Sequence, residues 1–258
     1  MSNQVTVYWS PWIDGEYVSR ERNKMGPNQW VFQEPQNAYK DIISKKSDQK
    51  ITKNFFQCPA TRDALQSVYV VRCPFETEAE VLLKEDGAVD TIKQDWAKNM
   101  PDILSQIPIH LAHAPSKENE LLVVAEFSHV FFCEESLQMR MTAPWFHEAP
   151  HLQYGAAVPG MYDIGRWLRP VNFEMNLWQG QTKIKFEEDE PMGYLEFATN
   201  KKINFQRFEA TNKLKEIVAD AINTRCKKTT PSLLKRYQIF DRSPVKKIIL
   251  KEIKDNIL

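Results

Sequence analysis

Val171-Asn172-Phe173-Glu174-Met175-Asn176-Leu177-Trp178 alternates without a break: Phe173, Met175 and Leu177 point one way, Asn172, Glu174 and Asn176 the other. A period of two is the mark of a strand with one face buried. Gln179-Gly180-Gln181 then reads as a turn, Lys183-Ile184-Lys185-Phe186 alternates again, an acidic turn runs over 187–191, and residues 192–197 resume as strand. This order predicts a three-stranded antiparallel meander. Working outward, residues 5–9, 29–32, 67–72, 79–84, 121–132 and 137–141 read as further strands, with Asp86-Gly87 closing a hairpin onto 89–92. Helix is expected only briefly, over 35–45 and 101–106. Fifteen Pro against eight Gly break long helices, which argues against a helical bundle or a doubly wound sheet. The expected fold is mainly β with α: an antiparallel sandwich, jelly roll or distorted barrel.

The 258 residues, 42% hydrophobic and 26% charged, are enough for one sizeable core and are not the composition of a disordered chain. Residues 1–200 read as a single compact β-rich body and 201–258 as a basic helical C-terminal region packed on it or extending from it. Leu214, Ile217, Val218, Ala221 and Ile222 recur at helical spacing behind Thr211 as cap, and Thr230-Pro231 and Ser243-Pro244 each place proline just after a capping residue. Val245, Ile248, Ile249 and Ile253 make the last segment amphipathic, with Lys246, Lys247, Lys251 and Lys254 beside the stripe. The net charge is zero overall, yet 201–258 carries +9 and the first 200 residues −9. Such asymmetry marks either neutralisation within or between chains, or a basic arm for an anionic partner. Nucleic-acid contact through 201–258 ranks behind a protein partner or homo-oligomer, because the cations are spread over helices rather than clustered with stacking aromatics.

Cys58, Cys73, Cys133 and Cys226 contain no Cys-x-x-Cys pair, so neither a zinc knuckle nor a thioredoxin-type motif is indicated. The first residues lack a signal-peptide core, and the most apolar run, 121–132, is too short to span a bilayer. The expectation is a chain that is neither secreted nor membrane-bound. His147-Glu148-Ala149-Pro150-His151 matches H-E-x-x-H, in which two imidazoles bind zinc and the glutamate activates water. That chemistry needs a helix to bring i and i+4 to one face, and Pro150 denies it. A loop site for a divalent metal with His147, His151 and Glu174 is the surviving metal reading; otherwise no cofactor is expected. None of the five histidines is followed two residues later by an acid, as a jelly-roll iron oxygenase requires, and no histidine follows His151. His110 and His113 read as structural histidines in a loop. No phosphate-cradling glycine run and no G-x-S-x-G elbow is present.

The richest surface candidate is the segment 158–170, where Tyr162, Arg166, Trp167 and Arg169 stand among turn formers. Arginines and large aromatics in a loop are the chemistry of recognition, and with Glu174 they are the ligand-binding candidates. Residues 158–198, ending in Glu190-Pro191-Met192-Gly193-Tyr194-Leu195-Glu196-Phe197, resemble the β-clip core of deoxyuridine triphosphatases and deoxycytidine triphosphate deaminases, with Asp189-Glu190-Pro191 where that fold has a glycine-acid turn. The resemblance implies a β-clip-like body.

Tyr8-Trp9-Ser10-Pro11-Trp12, Phe56-Gln57-Cys58-Pro59-Ala60, Arg72-Cys73-Pro74-Phe75 and the stretch 154–178 resemble a family of uncharacterised proteins encoded by tailed phages of aquatic bacteria. That resemblance implies a phage setting, in the infected host cytoplasm or the virion, and brings no catalytic residue. The expectation is a non-catalytic protein-binding or virion-associated structural protein. The rival is a small-molecule, nucleotide or metal-binding enzyme on a β-clip or cupin-like body.

Overall fold

The computed structural model describes residues 3–11, 33–45, 58–73, 76–85, 89–96, 109–113, 121–223 and 232–258. The long apolar run Leu121–Cys133 (β7) is the spine of a central sheet, pairing antiparallel with Gln4–Pro11 (β1), Ile109–His113 (β6) and Pro170–Leu177 (β11). β1 carries Lys202–Arg207 (β14) in parallel on its other side, and β11 carries Gly155–Ala157 (β9). A second sheet runs in the order Gly160–Asp163 (β10), Gln138–Thr142 (β8), Pro191–Phe197 (β13), Val68–Arg72 (β3) and Gln36–Asn37 (β2). A third holds Lys183–Phe186 (β12), Thr77–Leu83 (β4) and Val89–Trp96 (β5). The chain is thus mainly β, its sheets open and antiparallel apart from β1 with β14, forming a sandwich-like body with C-terminal helices.

Side-chain alternation explains the layering. Val5, Val7, Trp9, Phe131 and Cys133 leave one face of the central sheet and meet Tyr69, Met139, Met141, Leu195 and Phe197 of the second. Further along that same face, Val123, Ala125, Phe173 and Met175 meet Ala79, Val81, Ile184 and Phe186 of the third. The intervening residues Tyr8, Val130 and Phe132 point the other way, onto Leu214 and Val218 of Asn212–Asn223 (in chain order α3) and Ile249 and Ile253 of Val245–Asp255 (α5). Each large side chain buried this way contributes about 1.5–3 kcal/mol. On the outer face of the second sheet, Val68, Val70 and Tyr194 lie under Ala38 and Ile42 of Ala38–Lys45 (α1) and Leu65 of Pro59–Gln66 (α2).

The strands of the 171–197 stretch form as expected, but not as a meander. β11, β12 and β13 enter three different sheets, pairing with β7 and β9, with β4, and with β3 and β8. The physical reason is that the sheets pack face to face, so a strand crossing from one to the next keeps its apolar side inward. The hairpin of β4 with β5 is as expected. Two segments depart from their reading: Ile109–His113 is a strand rather than a loop, and the region beginning at 201 opens with β14, whose Ile203 and Phe205 alternate into the core. α2 was not anticipated, although Pro59 in its first turn is a helix-start signal.

The helix caps follow local chemistry. Asn37 Oδ1 accepts the Lys40 N–H at 3.2 Å, while its amide donates to the Gln66 carbonyl at 2.9 Å, tying α1 to the end of α2. Thr211 Oγ1 accepts the Leu214 N–H at 3.3 Å, as expected; before α5 the cap position falls on Pro244, one residue later than expected, and Ser243 Oγ accepts the Val245 N–H at 3.2 Å. Leu233–Arg242 (α4) is capped by Ser232, whose side chain accepts the Lys235 N–H. The expectations at 29–32, 86–87, 101–106 and Thr230-Pro231 lie outside the described residues, as do Trp12 and Cys226. No described helix is long and apolar enough to cross a membrane.

Candidate functional site

Pro150 ends any helical course through His147-Glu148-Ala149-Pro150-His151 and instead starts a short 3₁₀ turn, Pro150–Gln153. The two histidines consequently leave the loop in different directions. His147 enters the layer between α1 and the second sheet. Its Nε2 lies 2.8 Å from Asp41 Oδ2 and its Nδ1 2.6 Å from the Tyr194 hydroxyl. A carboxylate only accepts, so in the neutral ring Nε2 carries the proton and Nδ1 accepts the Tyr194 O–H. Tyr194 Oη in turn accepts the Phe146 N–H at 3.2 Å. Asp41 Oδ2 also takes Arg72 at 2.5 Å, and Arg72 donates to the Asp189 carbonyl and stands 3.6 Å from its carboxylate.

The side chains of Asp41, Arg72 and His147 are each at most 10% exposed, and Tyr194 is fully buried. Burial pushes the Tyr194 phenol up to about 12, with the Phe146 amide opposing the shift. Arg72 and Asp41 face each other inside the fold, so that each buried polar group has a partner. The result is a Tyr–His–Asp–Arg chain capable of holding a proton at a defined nitrogen. A groove of about 1000 Å³ opens beside Asp41, lined among others by Glu34, Tyr39, Lys40, Asp63 and Tyr69.

His151 points into the core between the central and third sheets. Its ring meets Phe173 edge-on at 5.2 Å and Phe186 at 5.4 Å, and its Nδ1 lies 3.2 Å from Glu190 Oε1 without hydrogen-bond geometry. Glu190 Oε1 accepts the Glu187 N–H at 3.1 Å, while Oε2 and His151 Nε2 are buried without a hydrogen bond. Glu174 alternates with Phe173 and Met175 and therefore faces away from His151, across the central sheet. The structure does not gather His147, His151 and Glu174, and among the described residues no three His, Cys, Asp or Glu side chains are clustered for a metal.

The 158–170 segment is also not the free loop its composition suggests. Gly160–Asp163 is an edge strand, with Tyr162 on it, Ile164 and Leu168 are buried in the core, and Arg166 and Trp167 meet α4. Arg166 pairs with Asp241 at 3.0 Å, and the Trp167 ring lies between the guanidinium groups of Arg169 (5.2 Å) and Arg236 (5.5 Å), with Tyr237 edge-on. Asp163 anchors the turn, accepting the Leu137 and Gly165 N–H groups at 3.1 and 3.0 Å, while its own N–H donates to the Tyr237 hydroxyl at 2.8 Å. A Cβ at Gly165 would run into the Glu135 carbonyl, so this close approach requires glycine.

Asp41, Arg72 and Tyr194 had no signal in the sequence beyond residue type; only the fold brings them to His147. No family model, curated protein or solved structure matches this chain.

Proposed function

We propose that the chain is a non-catalytic protein-binding component, associated with the virion or its assembly in the phage setting that the sequence resemblance implies. The observation that supports this is where the large apolar side chains remain in water. Trp145 (51% exposed) and Met161 (62%) flank a groove of about 340 Å³ on the second sheet, and Leu234 (65%) and Ile239 (57%) stand on α4. Exposed apolar side chains in groups are the usual currency of protein interfaces. The test is quantitative mass spectrometry of purified virions. Many copies per particle are expected, and absence from the particle would overturn the virion reading.

A second reading, a small-molecule binder, draws on the groove beside Asp41. A ligand of the native state raises its melting temperature. Nucleotides and divalent cations are expected to leave the melt unshifted, and a saturable shift would favour this second reading.

A further inference from the structure

Among the described strands, the central sheet ends at β14. The pairing of β14 with β1 uses one edge only: the Lys202 N–H donates to the Asn3 carbonyl and the Phe208 N–H to the Trp9 carbonyl, each at 3.0 Å. Main-chain groups of successive strand residues point to opposite edges, so those of Ile203 and Phe205 point away from β1. Further along this outer edge the Arg207 carbonyl accepts the Leu258 N–H at 3.0 Å, and the Glu209 N–H donates to the Asn256 carbonyl at 2.9 Å. Phe208 is bridged there to Ile257 in the antiparallel sense. The occupied stretch of the edge is therefore held by extended main chain running against β14. Two residues before it, the outward main-chain groups of Phe205 meet no described residue.

This open stretch faces the groove beside Asp41, which has β14 along one wall and Gln36 and Asn37 of β2, the last described strand of the second sheet, along the other. Tyr69, Phe197 and Phe205 line it as an aromatic cluster, with ring centroids 5.7, 5.1 and 6.0 Å apart. Main-chain donors and acceptors at strand spacing are matched by another extended main chain. An aromatic wall favours apolar side chains at every second position of that chain. Lys202, exposed at the start of β14, guards against indiscriminate pairing, as lysine does on edge strands generally.

We propose that the outer edge of β14 at residues 203–205 takes an extended segment of a partner protein as an added antiparallel strand. Its apolar side chains face Tyr69, Phe197 and Phe205, and its polar ones face solvent. This rests on the protein-binding reading above and gives the partner its chemistry. The direction follows from residues 256–258, which already run antiparallel along the adjoining stretch of the same edge. One added strand satisfies the Phe205 N–H and carbonyl and covers the aromatic cluster together. A small polar ligand fills the same groove without using the strand spacing of its wall.

The test is selection of a display library of random peptides on the full chain, followed by titration of the enriched peptides with their main-chain nitrogens methylated one at a time. Enriched sequences are expected to carry apolar residues at alternate positions. Methylation should weaken binding by about tenfold or more at every second nitrogen, where the N–H faces β14, and leave it nearly unchanged at the others. On the protein side, Phe205→Pro removes an N–H that β1 does not use and should abolish binding, while Phe205→Ala keeps that N–H and should retain more of it. A melt of each variant checks that it is folded, and the methylation scan on the wild type decides the matter if Phe205→Pro is not. A library that yields no binder overturns the inference. So do binders whose methylation scan shows no alternation, or that bind Phe205→Pro as well as wild type. Each of these failures leaves the protein-binding reading standing, since virion copy number tests that reading independently.

Discussion

His147 and His151 stand four residues apart in one string, yet they occupy opposite kinds of interior. Around His147 every strong group has a counterpart: Asp41 answers both Arg72 and the ring, and the Tyr194 hydroxyl is held on both sides. Around His151 the walls are Phe173 and Phe186, and Glu190 leaves one carboxylate oxygen unanswered. The first interior is held by mutual satisfaction, the second by packing around a pair that gains little from being polar. Mutation separates the two cases, because breaking a satisfied network strands its members while erasing a poorly satisfied pair removes a cost.

The largest effect is expected at the hub. Asp41→Ala leaves Arg72 and His147 buried without their shared carboxylate and should lower the unfolding free energy by about 3–5 kcal/mol in urea titration; a loss below about 1 kcal/mol would show that water replaces the carboxylate freely. Tyr194→Phe orphans the Phe146 N–H and His147 Nδ1 and should cost about 1–3 kcal/mol. The same residue gives a pH test. Its folded-state pKa of about 12 lies above the ordinary value near 10, so the folded chain keeps this proton longer. The resulting stabilisation is complete below about pH 10 and is lost as pH rises toward 12. The phenolate difference spectrum between wild type and Tyr194→Phe should stay flat until pH nears that upper value. The smallest effect is expected at the second histidine. The double variant His151→Leu/Glu190→Leu should fall within about 1 kcal/mol of wild type or exceed it, and a loss as large as that of Asp41→Ala would erase the contrast.

The strands were legible because alternation is a local property. Phe173, Met175 and Leu177, then Ile184 and Phe186, then Leu195 and Phe197 each mark a buried face. Their partners were not legible, because alternation says that a face is covered and not by which sheet. Gly180, at φ 78°, and Asp189, at φ 64°, bend the connections that carry the chain from the central sheet to the third and from the third to the second. Both could equally have closed hairpins. The same limit governs the site. His147 announced itself through its motif, but Arg72 and Asp41 are 31 residues apart and His147 lies 106 residues beyond Asp41, separations at which spacing carries no information. Arg166 and Trp167 show the same limit, since side chains suited to gripping a partner also contact the chain's own α4, and composition does not say which.

The parallel seating of β1 beside β14 has a consequence for how the molecule comes into being. Gln4 finds its neighbour at Lys202, and Val7 pairs across at Cys133 and alongside at Phe205. On a ribosome adding about 5–20 residues each second, some 10–40 s pass between the emergence of the first strand and that of its last neighbour. Until residues 129–133 emerge both edges of this strand are unpaired, and from then until 202–207 emerge one edge remains so. Contacts this distant along the chain slow folding through the entropy of closing so large a loop. Of the three sheets the central one is therefore finished last, and its first strand is the segment most in need of shelter until then.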